Sequence, residues 1–307
     1  MGLIRFAIII TKNNEARHCI RSTQRASSKG SKEENVGLAG GLFPNDVLAL
    51  IITFVYVFFV IGLGTALSKR SKSGKSDISR KIVHIGAGNA IFFWPLYEHA
   101  WVVSLAPWTL AIFVLLLTPK SRVKTFRDMF QSMARDMDRK KGHIIGPLLY
   151  IISIGLLVSA FGYGSYYPYF VIGAIGIEIM IWGDGFACLI GKRYGSSSKY
   201  EVFGCSRSVV GSLTLLVFGF IAAMVTMFYF NSIVPLIQPS LALPVTLILP
   251  LMLEIALIGA VVAMILEAIT PFGIDNVTVP LLTTLVILII LLQLGTVTPV
   301  AWQWFVH

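Results

Sequence analysis

Four polar clusters interrupt a chain that is otherwise strongly apolar. The first is Arg80-Lys81-x-x-His84, whose three- and four-residue spacings put the side chains on one helical face. The second, Gly183-Asp184-Gly185-Phe186-Ala187, continues into Gly191-Lys192-Arg193-Tyr194-Gly195. The third is Arg207-Ser208-Val209-Val210-Gly211-Ser212, and the fourth is Glu267 followed by Asp275-Asn276-Val277-Thr278-Val279-Pro280. These residue types together suit a nucleoside triphosphate and a divalent metal. Asp184 and Asp275 are the expected Mg²⁺ ligands, because Mg²⁺ takes one or two protein carboxylates and completes its shell with phosphate oxygens and water. Lys192, Arg193 and Arg207 offer donors that neutralise a transferring phosphoryl group, and Lys81 is a further candidate for the nucleotide. A helix starting near Ser208 would aim free amides at an anion, so Ser208, Gly211 and Ser212 join the nucleotide candidates. Glycines 183, 185, 191 and 195 would let backbone approach phosphates closely.

Each residue also has a plainer explanation. A basic residue such as Lys81 at a helix end often only fixes orientation in a membrane. His84 titrates near neutrality and could act as a base, or it could be a hydrogen-bonded structural histidine. Asp184 could be a helix-end carboxylate in water, and Asn276 a cap for the last helix. Glu267 and Asp275 gain weight as site residues because Pro271 and Gly273 between them would bend the chain back. Gly86-Ala87-Gly88 lacks the third glycine of a dinucleotide fingerprint. Cys19, Cys188 and Cys205 share no CxxC spacing, and the five histidines show no metal-ligand pattern.

The elements that must position these clusters are membrane helices. Hydrophobic residues make up 56% of the 307 and charged residues only 13%, about half the usual share of a soluble domain. Val47–Leu67, Val209–Phe230 and Val277–Leu294 are free of charge, each near the roughly 20 residues needed to cross a bilayer. The expected architecture is an all-α polytopic membrane protein, a bundle of about eight transmembrane helices. The expected spans are 47–67, 82–97, 101–117, 144–161, 167–182, 209–230, 241–265 and 277–294. The second, fourth and fifth carry Gly or Pro, so one could be re-entrant. Residues 1–45 form a separate basic tail, expected to be disordered, ahead of a single transmembrane catalytic domain over 46–307.

Charge placement orients the bundle. Segments 68–81, 118–141 and 183–208 carry six, eight and four Lys/Arg, whereas 98–100, 162–166 and 231–240 carry none. The basic segments belong on the cytoplasmic side, and all four polar clusters then open on that face. The seven Lys/Arg of the tail conflict with this scheme. The Lys and Arg behind the net charge of +10 lie in the tail and three short inter-helix loops, which gives no argument for a nucleic-acid partner. Over Ser121–Lys141, apolar residues recur at three- and four-residue steps among charges, which predicts an amphipathic helix on the membrane surface. Glu178 and Glu254 fall inside spans, where a charge costs roughly 2.5–3.5 kcal/mol, so both are expected to be buried with partners. Trp94, Tyr97, Trp101 and Trp108 are expected to form an interfacial aromatic belt.

The order RKxxH, GPLLY (146–150), GDGFAxxxGKRYG, RSxxGS and E-x₇-DNVTVPL resembles the polyprenol kinase group of the CTP-transferase superfamily, most closely its phytol kinase branch. The resemblance spans about residues 80–281. It implies transfer of a phosphate from CTP, or another nucleoside triphosphate, to an isoprenoid alcohol such as phytol, geranylgeraniol or dolichol, with Mg²⁺ as cofactor. Asp184, Lys192, Arg193, Ser208, Gly211, Ser212, Glu267, Asp275 and Asn276 fall on the group's motif positions. Arg207 stands where the group shows a lysine, which keeps the charge but changes its geometry. A cytidylyltransferase making a CDP-activated lipid would need the same nucleotide and metal chemistry. A transporter is the alternative from another class, although it would spread its charges along a mid-membrane path.

Overall fold

A computed structural model describes residues 44–70, 77–134, 144–162, 169–238, 243, 247–271 and 273–296. The proposed basic tail lies almost entirely outside the described residues. Ten α-helices are described: α1 (Pro44–Arg70), α2 (Asp77–Gly88), α3 (Ala100–Leu116), α4 (Lys124–Met133), α5 (Ile145–Gly162), α6 (Phe170–Tyr194), α7 (Val209–Phe228), α8 (Val234–Ile237), α9 (Leu249–Ile269) and α10 (Asp275–Gln293). A 3-10 segment over Asn89–Leu96 continues α2, and a π-helical turn over Tyr229–Ile233 joins α7 to α8. Six helical stretches are long and apolar enough to cross a membrane: Asn45–Arg70, Ile145–Gly162, Phe170–Tyr194, Val209–Ile237, Leu249–Ile269 and Asp275–Gln293. Trp101–Leu116 is a shorter apolar helix. The protein is an all-α polytopic membrane protein.

Helix α6 is the central post. Its apolar window is 83% buried, against 33–44% for the other five long stretches. Small residues make that centrality possible, since close backbone approach drives helix packing in lipid. A Cβ at Gly176 would collide with Thr284 of α10, and one at Gly183 would come within 3.0 Å of Leu215 of α7. Helix α6 also runs on to Tyr194 instead of stopping near residue 182. Asp184 is therefore inside a helix, ten residues before its last, and not at a helix end. Glycines 183, 185 and 191 are helical too. Their amides serve the helix and their missing side chains serve packing, which corrects the expectation of a phosphate-cradling loop there.

The expected continuous helix over 82–97 is instead α2 followed by the tighter 3-10 segment, which contains Pro95. Helix α4 is the amphipathic element, shorter than expected, and residues 135–143 lie outside the described chain. Its apolar face is buried at Phe130 and Met133, and it packs on the bundle through a Thr65–Ser132 hydroxyl contact of 3.2 Å. Two further expectations fail. Glu254 is exposed, close to the start of α9 where a long side chain can turn toward the interface. Trp94 and Tyr97 are each only 2% exposed and belong to the core, so only Trp101 and Trp108 suit a belt.

The one β-hairpin among the described residues pairs β1 (Lys199–Val202) antiparallel with β2 (Cys205–Ser208). Phe203 and Gly204 both have positive φ, 48° and 76°, the backbone that closes a two-residue hairpin. Ser208 ends β2 and is also the N-cap of α7, so the hairpin fixes where α7 begins.

Candidate active site

Side chains from α2, α6, β2, α9 and α10 converge at one end of the bundle. Lys81, 2% exposed, places Nζ 2.6 Å from Asp184 Oδ2. His84, one turn along α2, brings Nε2 to 3.4 Å from the same oxygen. The helical spacing seen in the sequence thus delivers two basic groups to one carboxylate. Tyr150 of α5 fixes this stretch, because its hydroxyl donates to the His84 carbonyl at 2.7 Å and its ring lies 4.3 Å from the imidazole. Arg80, on the same turn as Lys81, donates toward Cys188 Sγ at 3.7 Å.

A second ion-pair group forms around Arg207. Its Nε is 2.9 Å from Glu267 Oε1, and its Nη2 is 3.5 Å from Asp275 Oδ2. The guanidinium also donates to the backbone carbonyls of Glu267 and Thr270, both at 3.0 Å from Nη2. One side chain from the hairpin therefore ties the last turn of α9 to the first turn of α10. The planar fork of arginine can make these contacts together, which a lysine cannot. The other carboxylate oxygen of Asp275 accepts from the amides of Gly273 and Asn276 at 3.0 and 2.9 Å. Gly273 has φ of +100°, so the bend that aims Asp275 depends on that glycine. Asn276 donates its side-chain N–H to the Gly146 carbonyl at 3.1 Å, docking α10 on the first turn of α5.

The two groups share one electrostatic field. Glu267 interacts with Asp184, Asp275 and Lys81 as well as with Arg207. Three carboxylates, Asp184, Glu267 and Asp275, stand against two buried cations, Lys81 and Arg207. That donor set fits a divalent metal carried in with phosphates, which needs only one or two protein carboxylates. It is not a preformed cage. The one trio of carboxylate and imidazole ligand atoms found within 4.8 Å of one another, among the described residues, is Asp46, Glu98 and His99 at the far end of the bundle.

The remaining candidates surround the start of α7. The Ser208 hydroxyl accepts from the Gly211 amide at 3.1 Å. Gly191, Gly195 and Gly211 all crowd that hydroxyl, and a Cβ at Gly195 would collide with it. The spacing of the two glycine-containing motifs thus reflects one tightly packed junction. Ser212 Oγ lies 2.6 Å from the Tyr200 hydroxyl, a contact with no signal in the sequence beyond the hairpin itself. Lys192 and Arg193 occupy the exposed last turn of α6, about two turns beyond Asp184.

Lys81 of the charged group also lines an apolar cavity that is partly open to its surroundings. Arg80, Lys81, His84 and Asn276 line its polar end, and residues of α1, α2, α3 and α5 form most of its wall. Tyr150, which positions His84, is also part of that wall.

The chain is 33% identical to the phytol kinase of Synechocystis over 243 residues, covering 78% of this chain and 90% of that protein. It is 30% identical to the chloroplastic farnesol kinase of Arabidopsis thaliana over 227 residues, 69% of this chain and 70% of that protein. A probable chloroplastic phytol kinase of Oryza sativa matches at 32% over 163 residues, 51% of this chain and 48% of that protein. No protein-family profile matches the chain, and no solved structure matches it. By the extent and level of its identity with these relatives, the chain belongs to the phytol kinase family, within the polyprenol kinase branch.

Proposed function

We propose that the protein is a membrane-embedded lipid kinase that transfers the γ-phosphoryl group of CTP, or another nucleoside triphosphate, to the hydroxyl of an isoprenoid alcohol. The observation that carries this reading is the meeting of two environments: a charged group of three acids and two buried cations stands at the polar end of a long apolar cavity. Relatives named phytol kinase and farnesol kinase support the acceptor class.

The alcohol oxygen forms a bond to the γ-phosphorus as the bond from that phosphorus to the β–γ bridging oxygen breaks, and the nucleoside diphosphate leaves. The hydroxyl proton passes to a nearby base, either His84 Nε2 or a carboxylate of the group. Lys81 presents its ammonium at the junction between the acids and the cavity. Arg207 holds Glu267 and Asp275 in place, while Lys192 and Arg193 approach the nucleotide from the exposed side. Ser208, Gly211 and Ser212 shape the start of α7, where the helix dipole favours an anion. Asn276 anchors α10 beside the hydroxyl. A Mg²⁺ ion held by Asp184 and Asp275 would supply charge neutralisation at the phosphate oxygens. Because phosphoryl transfer depends on positioning and electrostatics, no covalent nucleophile is needed. The active face is assigned to the cytoplasm, because Lys69, Arg70, Lys192 and Arg193 flank this end of the bundle.

Membranes containing the protein, incubated with an isoprenoid alcohol and CTP labelled at either the α- or the γ-phosphate, test this reading. Label from the γ position in the lipid is the expected result. Label from the α position would make it a cytidylyltransferase, and no label with alcohol flux in proteoliposomes would make it a transporter.

A further inference from the structure

At the end away from the charges the apolar cavity is lined by buried residues. Its wall follows α2 and the 3-10 segment from Lys81 to Trp94, a rise of roughly 20 Å at 1.5 Å per α-helical and 2.0 Å per 3-10 residue. A further part of the wall is a stripe on α1, Thr53, Val57 and Ile61, spaced four residues apart on one helical face. At the far end Trp94 lies parallel to Phe170 of α6, with ring centroids 4.3 Å apart. Beside them the Thr53 and Tyr97 hydroxyls are 2.7 Å apart. All four residues are at most 4% exposed. The cavity therefore ends on a floor of packed rings and a satisfied hydroxyl pair.

We infer that this cavity is the seat of the substrate's hydrocarbon chain, and that the Trp94–Phe170–Tyr97–Thr53 floor sets the longest chain it can take. This rests on the kinase reading above, since the charged end supplies the phosphate and the cavity supplies the chain's place. One leaflet of a bilayer is about 15 Å thick in hydrocarbon and holds an ordinary lipid chain. A depth of roughly 20 Å thus houses a chain of about twenty carbons, with its hydroxyl at His84 and its tail against Trp94. A polyprenol several times longer cannot fit below the mouth. The floor is what separates the chains this site takes from dolichol-length substrates. Ala106 of α3 is 5% exposed and lines the wall near Val103, toward the floor. Its small side chain leaves the lower part of the cavity open.

Full-length protein in proteoliposomes, given alcohols of ten, fifteen, twenty and thirty carbons with the nucleoside triphosphate, reads the chain-length profile directly. Replacing Ala106 with Phe should lower the ratio of twenty-carbon to ten-carbon turnover by about tenfold or more, a selectivity set by pocket volume. A ratio within twofold of the parent's would overturn the inference. A twenty-carbon alcohol with a diazirine at its tail end gives a readout independent of turnover. Photolabel in the peptides around Trp94–Tyr97 and Phe170 is expected. Label confined to lipid-facing residues of α7 or α9 would overturn the inference even if Ala106→Phe abolished all activity. If the parent phosphorylates no alcohol yet the tail label reaches Trp94, the kinase reading fails and the chain site stands.

Discussion

The two ends of the bundle use the same kinds of side chain in opposite ways. At the far end, the Asp46 carboxylate accepts from the amides of Glu98 and His99 at 2.9 and 3.1 Å and from the His99 ring at 2.6 Å. Asn45 adds a hydrogen bond to Glu98. Those contacts staple the start of α1 to the turn before α3, and the buried acid is consumed by backbone. At the charged end, Asp184 faces Lys81 and His84 side chains, and Glu267 faces the Arg207 guanidinium. These acids are met by charged side chains and not by backbone amides. A carboxylate satisfied by backbone holds a fold together, whereas carboxylates balanced against cations beside a cavity can exchange partners when a ligand arrives.

If that contrast is right, substitutions at the two ends should separate activity from stability. Asp184→Asn should have the largest effect. It removes the acid shared by Lys81 and His84 while keeping shape, and phosphoryl transfer should fall by about 10³-fold or more. Molecules that remain folded should still be inactive, although a buried Lys81 left without its counterion lowers the melting temperature as well. Retained turnover with a lowered melting temperature would place Asp184 in the same class as Asp46.

Arg207→Lys comes next. The charge survives, but one ammonium cannot bridge Glu267, Asp275 and the carbonyls of Glu267 and Thr270 together. Turnover should fall by about 10- to 100-fold, the range seen when a residue that orients other ligands is lost. Raised Mg²⁺ dependence of the residual rate would mark the effect as loosened acids; an unchanged rate would show that the hairpin contact is dispensable.

How much of this was legible in the sequence differs between the same two regions. Lys81 and His84 could be found because helical spacing is local, and their pairing with one acid follows from a single face of α2. The partner across 103 residues could not, since nothing local in Asp184's surroundings specifies α2. The bend that aims Asp275 was readable from Pro271 and Gly273, because backbone rules are written in residue types. By contrast, the glycines near Asp184 suggested a loop, while the bundle uses them for close packing of a helix that continues to Tyr194. Membrane packing selects small residues for the same sterics as a phosphate loop does, so composition alone does not distinguish them. Trp94 and Tyr97 misled for a related reason. Aromatic residues near a span's end suit both an interface and a cavity floor, and only tertiary packing decides.

Asp46→Ala tests the far end. It strands two backbone amides and an imidazole, which should cost about 1–3 kcal/mol of stability and appear as a lower melting temperature. Activity per folded molecule should hold. A selective loss of turnover without loss of stability would mean that the far end communicates with the chemistry, contrary to the contrast drawn above.

The smallest effect is expected where an ion pair is neither backbone-satisfied nor beside the cavity. Lys69 Nζ lies 2.6 Å from Asp128 Oδ2 between α1 and α4, with the lysine side chain 58% exposed. The Lys69 hydrogen bond holds the Asp128 carboxyl below its ordinary range. A carboxylate lowered in this way contributes stability above its ordinary titration range and loses it as the pH falls through the folded value. Solvent screens so exposed a pair, and surface pairs of this kind contribute little. Asp128→Asn should therefore leave the acid side of the stability profile almost unchanged, as measured by melting temperature between neutral and acid pH. A clear drop at neutral pH that disappears in acid would show that α4 is held on the bundle by this charge, and not by the burial of Phe130 and Met133.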